Sequence, residues 1–439
     1  MPFAIGFGVL VRQELVGETK LGKFSKTALF LSEVPTNLRK IYQRISGGEI
    51  TLQDRFPNID GFFGTPNIEE SYLLLSKYDG NLREGVVELV DLRNFKVLHT
   101  WNPDIDKFNS LVNKVGEFKN LERDMNNARE TLQHPILTKD GELIFQPFRK
   151  IDECSNLIFQ NIDNVNMIPF HHSMEKDIDG NFWLPSRIYP QSLPSEKVGR
   201  DIKDDKGFID DSIIKLSPDR KILFEKSISQ ILIDNNMEYL LFSTGDNRFT
   251  YDPIHLNDIQ PVNFDGKYWE KGDVFVSIRH QSMVFLYRPS TNKIIWKGTG
   301  PFFHQHDVDI LDDHRISVFN NNSKDFVTGN RVDGHNEVII YNFKENKYTS
   351  YFSESLNKNE VRTITAGRSE ILPNGDLLIE ETNYARTLYF NSDGTLKWTH
   401  VNRANDGKVY IVEWSRILHS KNDILNVNNF LNTRIDCND

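Results

Sequence analysis

Three histidines and one arginine, far apart in the chain, share a local setting. His172, His255 and His306 each open a short extended run that is followed by a turn and a second extended run. Arg279 lies between them in KGDVFVSIRHQS (271–282). Three imidazoles could hold zinc with one position left open. A permanent guanidinium in the same pocket disfavours a metal and favours a tetrahedral oxyanion, which it can bind through two parallel hydrogen bonds. The stretch His304-Gln305-His306-Asp307 pairs histidines with a carboxylate, but its ligand spacing is weak. Sulfuryl or phosphoryl transfer uses every member of the set. A neutral His attacks, Arg holds the equatorial oxygens, and further His residues serve the leaving oxygen. No metal and no cofactor is expected.

Such a site needs elements that carry its members to one place. From about Glu49 the sequence breaks into short alternating runs separated by Asp-Gly, Pro-Asn-Gly and Asn-Lys turns, the pattern of many β-hairpins. One hairpin type recurs at 87–101, 212–227, 282–298, 337–352 and 386–400, and three of its copies end near Trp101, Trp296 and Trp398. A second type, at 131–148, 170–186, 304–319 and 365–380, precedes it. Residues 252–262 and 272–282 form the same unit with a longer turn. Two hairpins make a four-stranded blade, and blades repeated at this spacing make an all-β β-propeller. The innermost strands line the axis, so residues that begin them converge. Eight-residue spacing from His172 to Gly180 and from His306 to His314 places His172 and His306 in one frame. Strand alternation then lets only one of His171 and His172 face the channel, with His172 preferred; it also sends His280 away from Arg279 and lets His304 accompany His306. His134 fits the frame less well.

The 439 residues carry a formal charge of −10, and the pI of about 5.7 excludes a general nucleic-acid binder. The body, 49–439, is expected to be the propeller, with a helical insertion at about 104–131 that reads as a solvated excursion beside the ring. Residues 1–48 read as a separate helical segment, including a short helix at Leu38–Ile45. The apolar stretch Pro2–Val11 is too short to span a bilayer, and reads either as the end of a membrane anchor or as a docked first helix. The two cysteines, Cys154 and Cys437, are expected as free thiols, since isolated bridges are uncommon outside secreted proteins.

The elements His255-Leu256-Asn257, then SIRHQS (277–282), QHDVDIL (305–311), ISVFNNN (316–322) and NEVIIYNF (336–343) resemble, in type and order, those of the bacterial aryl-sulfate sulfotransferases. In that family an HxN, an SRHQS-like, a QH and an FDN element follow one another. The resemblance covers about 130–400 and implies a six-bladed propeller. It further implies sulfuryl transfer from an aryl sulfate to a phenol by a ping-pong route through a sulfated histidine, without a nucleotide donor. It puts the nucleophile on His306, sulfate-binding and leaving-group roles on His255 and Arg279, and the remaining family histidine on the His171-His172 pair. Asn257, His171 and His304 are candidate substrate contacts. The FDN element appears here as Phe319-Asn320-Asn321, and a site disulfide found in some members has no equivalent pair. The family implies a periplasmic or membrane-anchored, extracytoplasmic catalytic domain. Each His taken alone is more often structural, and a propeller that binds ligands or proteins without turnover is the competing reading. His280, His314, His335, His400 and His419 fall in the structural class.

Overall fold

The computed structural model describes residues 2–15, 23–28, 30–32, 50–112, 125–160, 170–199, 207–243, 249–435 and 437. The chain divides into two compact units, Met1–Leu52 and Gln53–Asp439. In the first, Pro2–Leu15 is an α-helix; the helix expected at Leu38–Ile45 lies outside the described residues.

The second unit is a six-bladed β-propeller. Blades 2 to 4 are consecutive antiparallel sheets whose innermost strands are Ile136–Leu137, Glu175–Lys176 and Leu256–Pro261. Blade 5 begins with His306–Ile310 and blade 6 with Arg368–Ile371. Blade 1 is assembled from both ends of the body: Arg416–Leu418 lies innermost, paired with Tyr72–Asp79, which continues into Glu84–Asp91 and Lys96–Trp101. The ends interlock a second time where Gly61–Gly64 adds a fifth strand to the outer edge of blade 6. Both hairpin types read from the sequence correspond to the inner and outer strand pairs of these blades.

Period-two alternation builds the ring. Tyr72 and Leu74 face blade 2, whereas Leu73 and Leu75 face blade 6, and similar apolar clusters fill the other blade interfaces. Carboxylates stitch the inner strands together. Asp211 of blade 3 accepts from the Leu256 N–H (2.7 Å), Asp258 of blade 4 from Val308 (2.7 Å), and Asp307 of blade 5 from Ser369 (2.7 Å). Glu380 of blade 6 accepts from Ser415 at the start of blade 1 (2.8 Å). Each bond satisfies a backbone amide in, or just before, an innermost strand.

Two expectations are corrected here. The cysteines are not free: Cys154, in blade 2, is disulfide-bonded to Cys437, beyond the final helix Lys421–Thr433, across 283 positions of sequence. Two lone cysteines so far apart in sequence give no local sign of pairing, and blade closure brings them together. The described ends of the insertion, 104–112 and 125–131, are also not a solvated excursion. Its helix Ile105–Ser110 buries Ile105 and Phe108 in the interface between blades 1 and 2. Arg149, fully buried, donates to Asn109 (3.1 Å) and pairs with Glu130 (3.4 Å) at the other end of the insertion.

Candidate active site

Just before each innermost strand the chain turns a corner through a left-handed residue. These are His134, His172, His255, His304, Ala366 and Trp414, with φ between 51° and 60°. Left-handed backbone is uncommon outside glycine, and His is among the residues enriched there. The recurring histidine is thus first a corner residue. His134 and His304 belong to that frame with His172 and His255, whereas His306 lies two positions later, as the first residue of its strand. The eight-residue match between His172 and His306 was therefore a wrong alignment of blades.

One end of the ring holds a cavity of about 520 Å³, a size suited to a small aromatic ligand. His171, His172, His255, Arg279 and His306 all line it, together with Phe170 and Trp414. The rings of His172 and His255 are 5.2 Å apart, those of His172 and His306 6.5 Å. Both members of the His171-His172 pair reach the cavity because they precede their strand, and the left-handed His172 abolishes the alternation expected of them. Their Nδ1 atoms are 2.8 Å apart, so one ring donates to the other.

His306 is held in one tautomer. Its Nδ1 lies 2.6 Å from Asn321 Oδ1. The Asn321 amide is oriented by its own Nδ2, which donates to the carbonyls of Ala366 (2.8 Å) and Thr363 (3.3 Å). Oδ1 must then accept from His306, which places the proton on Nδ1 and leaves the lone pair on Nε2. Burial, and next the nearby Arg279 cation, push the His306 pKa down to about 3, so the ring is neutral at pH 7. Burial likewise holds His172 well below the usual histidine range, aided by the other histidines.

His255 is fixed through its other side. Asp252 Oδ2 lies 2.8 Å from His255 Nδ1, which directs Nε2 away from the carboxylate. Burial alone would raise Asp252; its contacts with His255, His280 and Arg187 outweigh that and hold it below the ordinary carboxylate range. Arg279 is not in a strand. It opens the tight turn Arg279–Gln281, where its N–H donates to the His255 carbonyl (3.0 Å), and its residue is only 9 % exposed. His280 in the same turn stacks near His255 at 4.4 Å, rather than pointing away.

The remaining family-motif residues hold this frame. Asn257, fully buried, is not among the cavity-lining residues; it donates to the Gln305 carbonyl (2.7 Å). Gln305 in turn donates to Ser277 Oγ (3.1 Å) and the Met283 carbonyl (3.0 Å), so the pair fixes the start of the His306 strand against blade 4. His304 also lies off the cavity lining, with its backbone N–H bonded to Ser282 Oγ (3.2 Å). Asn320, which replaces the family's Asp, accepts from the N–H groups of Phe303 (2.8 Å) and Asn322 (3.0 Å) and so serves a loop. The departure from FDN leaves the residue that touches His306 intact. Asp252, His255 and His280 present ligand atoms within 4.8 Å of one another. A cation there would have to displace the Asp252–His255 contact beside a permanent guanidinium.

Sequence comparison adds the family. The model for arylsulfotransferase (ASST) matches residues 136–403, well over half of the chain. The chain belongs to the arylsulfotransferase family. No curated protein gave a significant match. Among solved structures, a protein of unknown function from Bacteroides caccae superposes with a TM-score of 0.44 at 12% identity, over 80% of this chain and 100% of that one. TolB from Acinetobacter baumannii gives 0.41 at 10% identity, over 90% and 73%. A catalytically inactive virginiamycin B lyase from Staphylococcus aureus gives 0.38 at 10%, over 81% and 98%. This arylsulfotransferase-family chain has all four of its expected catalytic side chains lining one cavity.

Proposed function

We propose that the protein moves a sulfuryl group from an aryl sulfate to a phenol through a covalent intermediate on His306. The observation that carries this is the His306–Asn321 contact, which supports a buried, neutral imidazole with its lone pair on Nε2. Nε2 attacks sulfur, the N–S bond forms, and the S–O bond to the aryl group breaks. The leaving phenolate takes a proton from His255 Nε2. Asp252, on the opposite ring nitrogen, offsets the charge His255 carries while it holds that proton. Arg279 stabilises the equatorial oxygens. The sulfated ring keeps its Nδ1 proton and is cationic, so it remains a good leaving group. The neutral amide of Asn321 binds that proton without removing it. An incoming phenol then returns a proton to His255 as its oxygen attacks sulfur.

A chromogenic aryl sulfate, with and without a phenol, tests this. Release of the chromophore that rises with phenol and is lost in His306→Asn supports transfer. No release from any aryl sulfate by the folded protein would leave a binding propeller instead, and release suppressed by chelators would favour a metal site. An extracytoplasmic location is part of the proposal, supported by the Cys154–Cys437 bridge, which persists in oxidising compartments. Among the described residues no helix is long and apolar enough to cross a membrane; a tether would involve the Pro2–Leu15 helix.

A further inference from the structure

The cavity has a second end whose chemistry the transfer reaction does not use. Met125, Arg129, Glu130 and Thr131, from the returning limb of the insertion, form part of its wall. They meet Glu413, which immediately precedes Trp414, and Gln146 from blade 2. The Trp414 ring is 6.3 Å from that of His306, so this wall begins one aromatic ring away from the nucleophile.

Two carboxylates stand in this wall, beside Arg129 and Gln133. Thr131 Oγ1 donates to Glu413 Oε2 at 2.8 Å, and Glu130 meets Arg149 at 3.4 Å. Burial pushes both carboxyls up, Glu130 to about 7; Glu130 is buried, whereas Glu413 is half-buried and is also hydrogen-bonded by Gln133. Phe170, Pro147 and Trp414 supply apolar surface to the same cavity.

We propose that the substrate is an aromatic compound with a hydrogen-bond donor, a hydroxyl or an ammonium, on the side of the ring opposite the reacting oxygen, and that Glu130 and Glu413 recognise that donor. This rests on the transferase reading for the position of the reacting oxygen. Sites built to bond a polar group reject the analogue that lacks it, because their own groups are then left unpaired. The insertion is therefore a specificity element.

Binding of three phenols measured by calorimetry tests it without requiring turnover: 4-ethylphenol, 4-(2-hydroxyethyl)phenol and 4-(2-aminoethyl)phenol. The two donor-bearing phenols are expected to bind at least about tenfold tighter than 4-ethylphenol, and that ratio should shrink in Glu413→Leu. Equal or tighter binding of 4-ethylphenol by the wild-type protein overturns the proposal, as does an unchanged ratio in a folded Glu413→Leu protein. If that variant does not fold, the wild-type ratios alone decide. The two readings fail separately. Indiscriminate transfer to all three phenols would refute the recognition wall and keep the transferase; discrimination in binding without any transfer would do the reverse.

Discussion

Removing the Asn321 amide should disable His306 without touching it. In Asn321→Leu the acceptor for His306 Nδ1 disappears, together with the donor to the Ala366 carbonyl. The Thr363 carbonyl keeps a partner, because Asn336 Nδ2 also donates to it at 2.9 Å. Two buried groups lose their partners, at about 1–3 kcal/mol each, so a loss of about 2–6 kcal/mol in stability is expected by denaturant titration. The Nδ1 proton is then no longer fixed. A bond worth about 1–3 kcal/mol corresponds to about 5- to 150-fold in the ratio of the two tautomers. The two tautomers then become comparably populated, and the burst of phenol release on mixing with an aryl sulfate should slow severalfold, with substrate binding less affected. Asn321→Asp provides the control: one carboxylate oxygen still accepts from Nδ1, so its burst should exceed that of the Leu variant. Its other oxygen faces the Ala366 carbonyl and favours a proton there, raising the pKa in the folded state. Its stability deficit should then be smallest below about pH 4, where the carboxyl is protonated in both states, and grow as pH rises. A Leu variant with a wild-type burst, or an Asp variant no better than Leu, would refute the positioning role.

Other perturbations follow from the same geometry. Arg279→Lys keeps the charge but not the planar fork, and should lower the rate of transfer by about 10²-fold or more in steady-state assays, as loss of a preorganised oxyanion donor does. Reducing the Cys154–Cys437 bridge, or replacing either cysteine with serine, should cost about 2–4 kcal/mol, read as a lower melting temperature. His400, whose pKa burial and then Lys77 push down to about 3, binds its proton only after the unfolded chain does. Its neutral form therefore contributes stability that is present above about pH 6.5 and lost as pH falls toward 3. The stability of His400→Phe relative to the wild-type protein should accordingly improve by about 2 kcal/mol between pH 6.5 and 5, by urea titration at each pH.

The hairpins were legible because their alternation and turn residues are local, and blade pairing follows from them. The closure of the ring was not: Arg416–Leu418 and Gly61–Gly64 are too short to read as strands until partners distant in sequence are known. His306, His255, Arg279 and His172 stood out by type and family order. Strand alternation failed around them because the corner residues are left-handed and Arg279 begins a turn, so His171, His280 and His304 were misdirected. Asp252 is three residues from His255 and carried no periodic signal. Glu130 and Glu413 meet only through the fold, 283 positions apart.

The most direct test of the account is the mass of the protein after incubation with an aryl sulfate in the absence of a phenol. The account predicts an increase by one SO₃ group, located on the peptide that contains His306, absent in His306→Asn and discharged when a phenol is added. Turnover with no adduct on any residue under these conditions, or an adduct located on a residue other than His306, would contradict it.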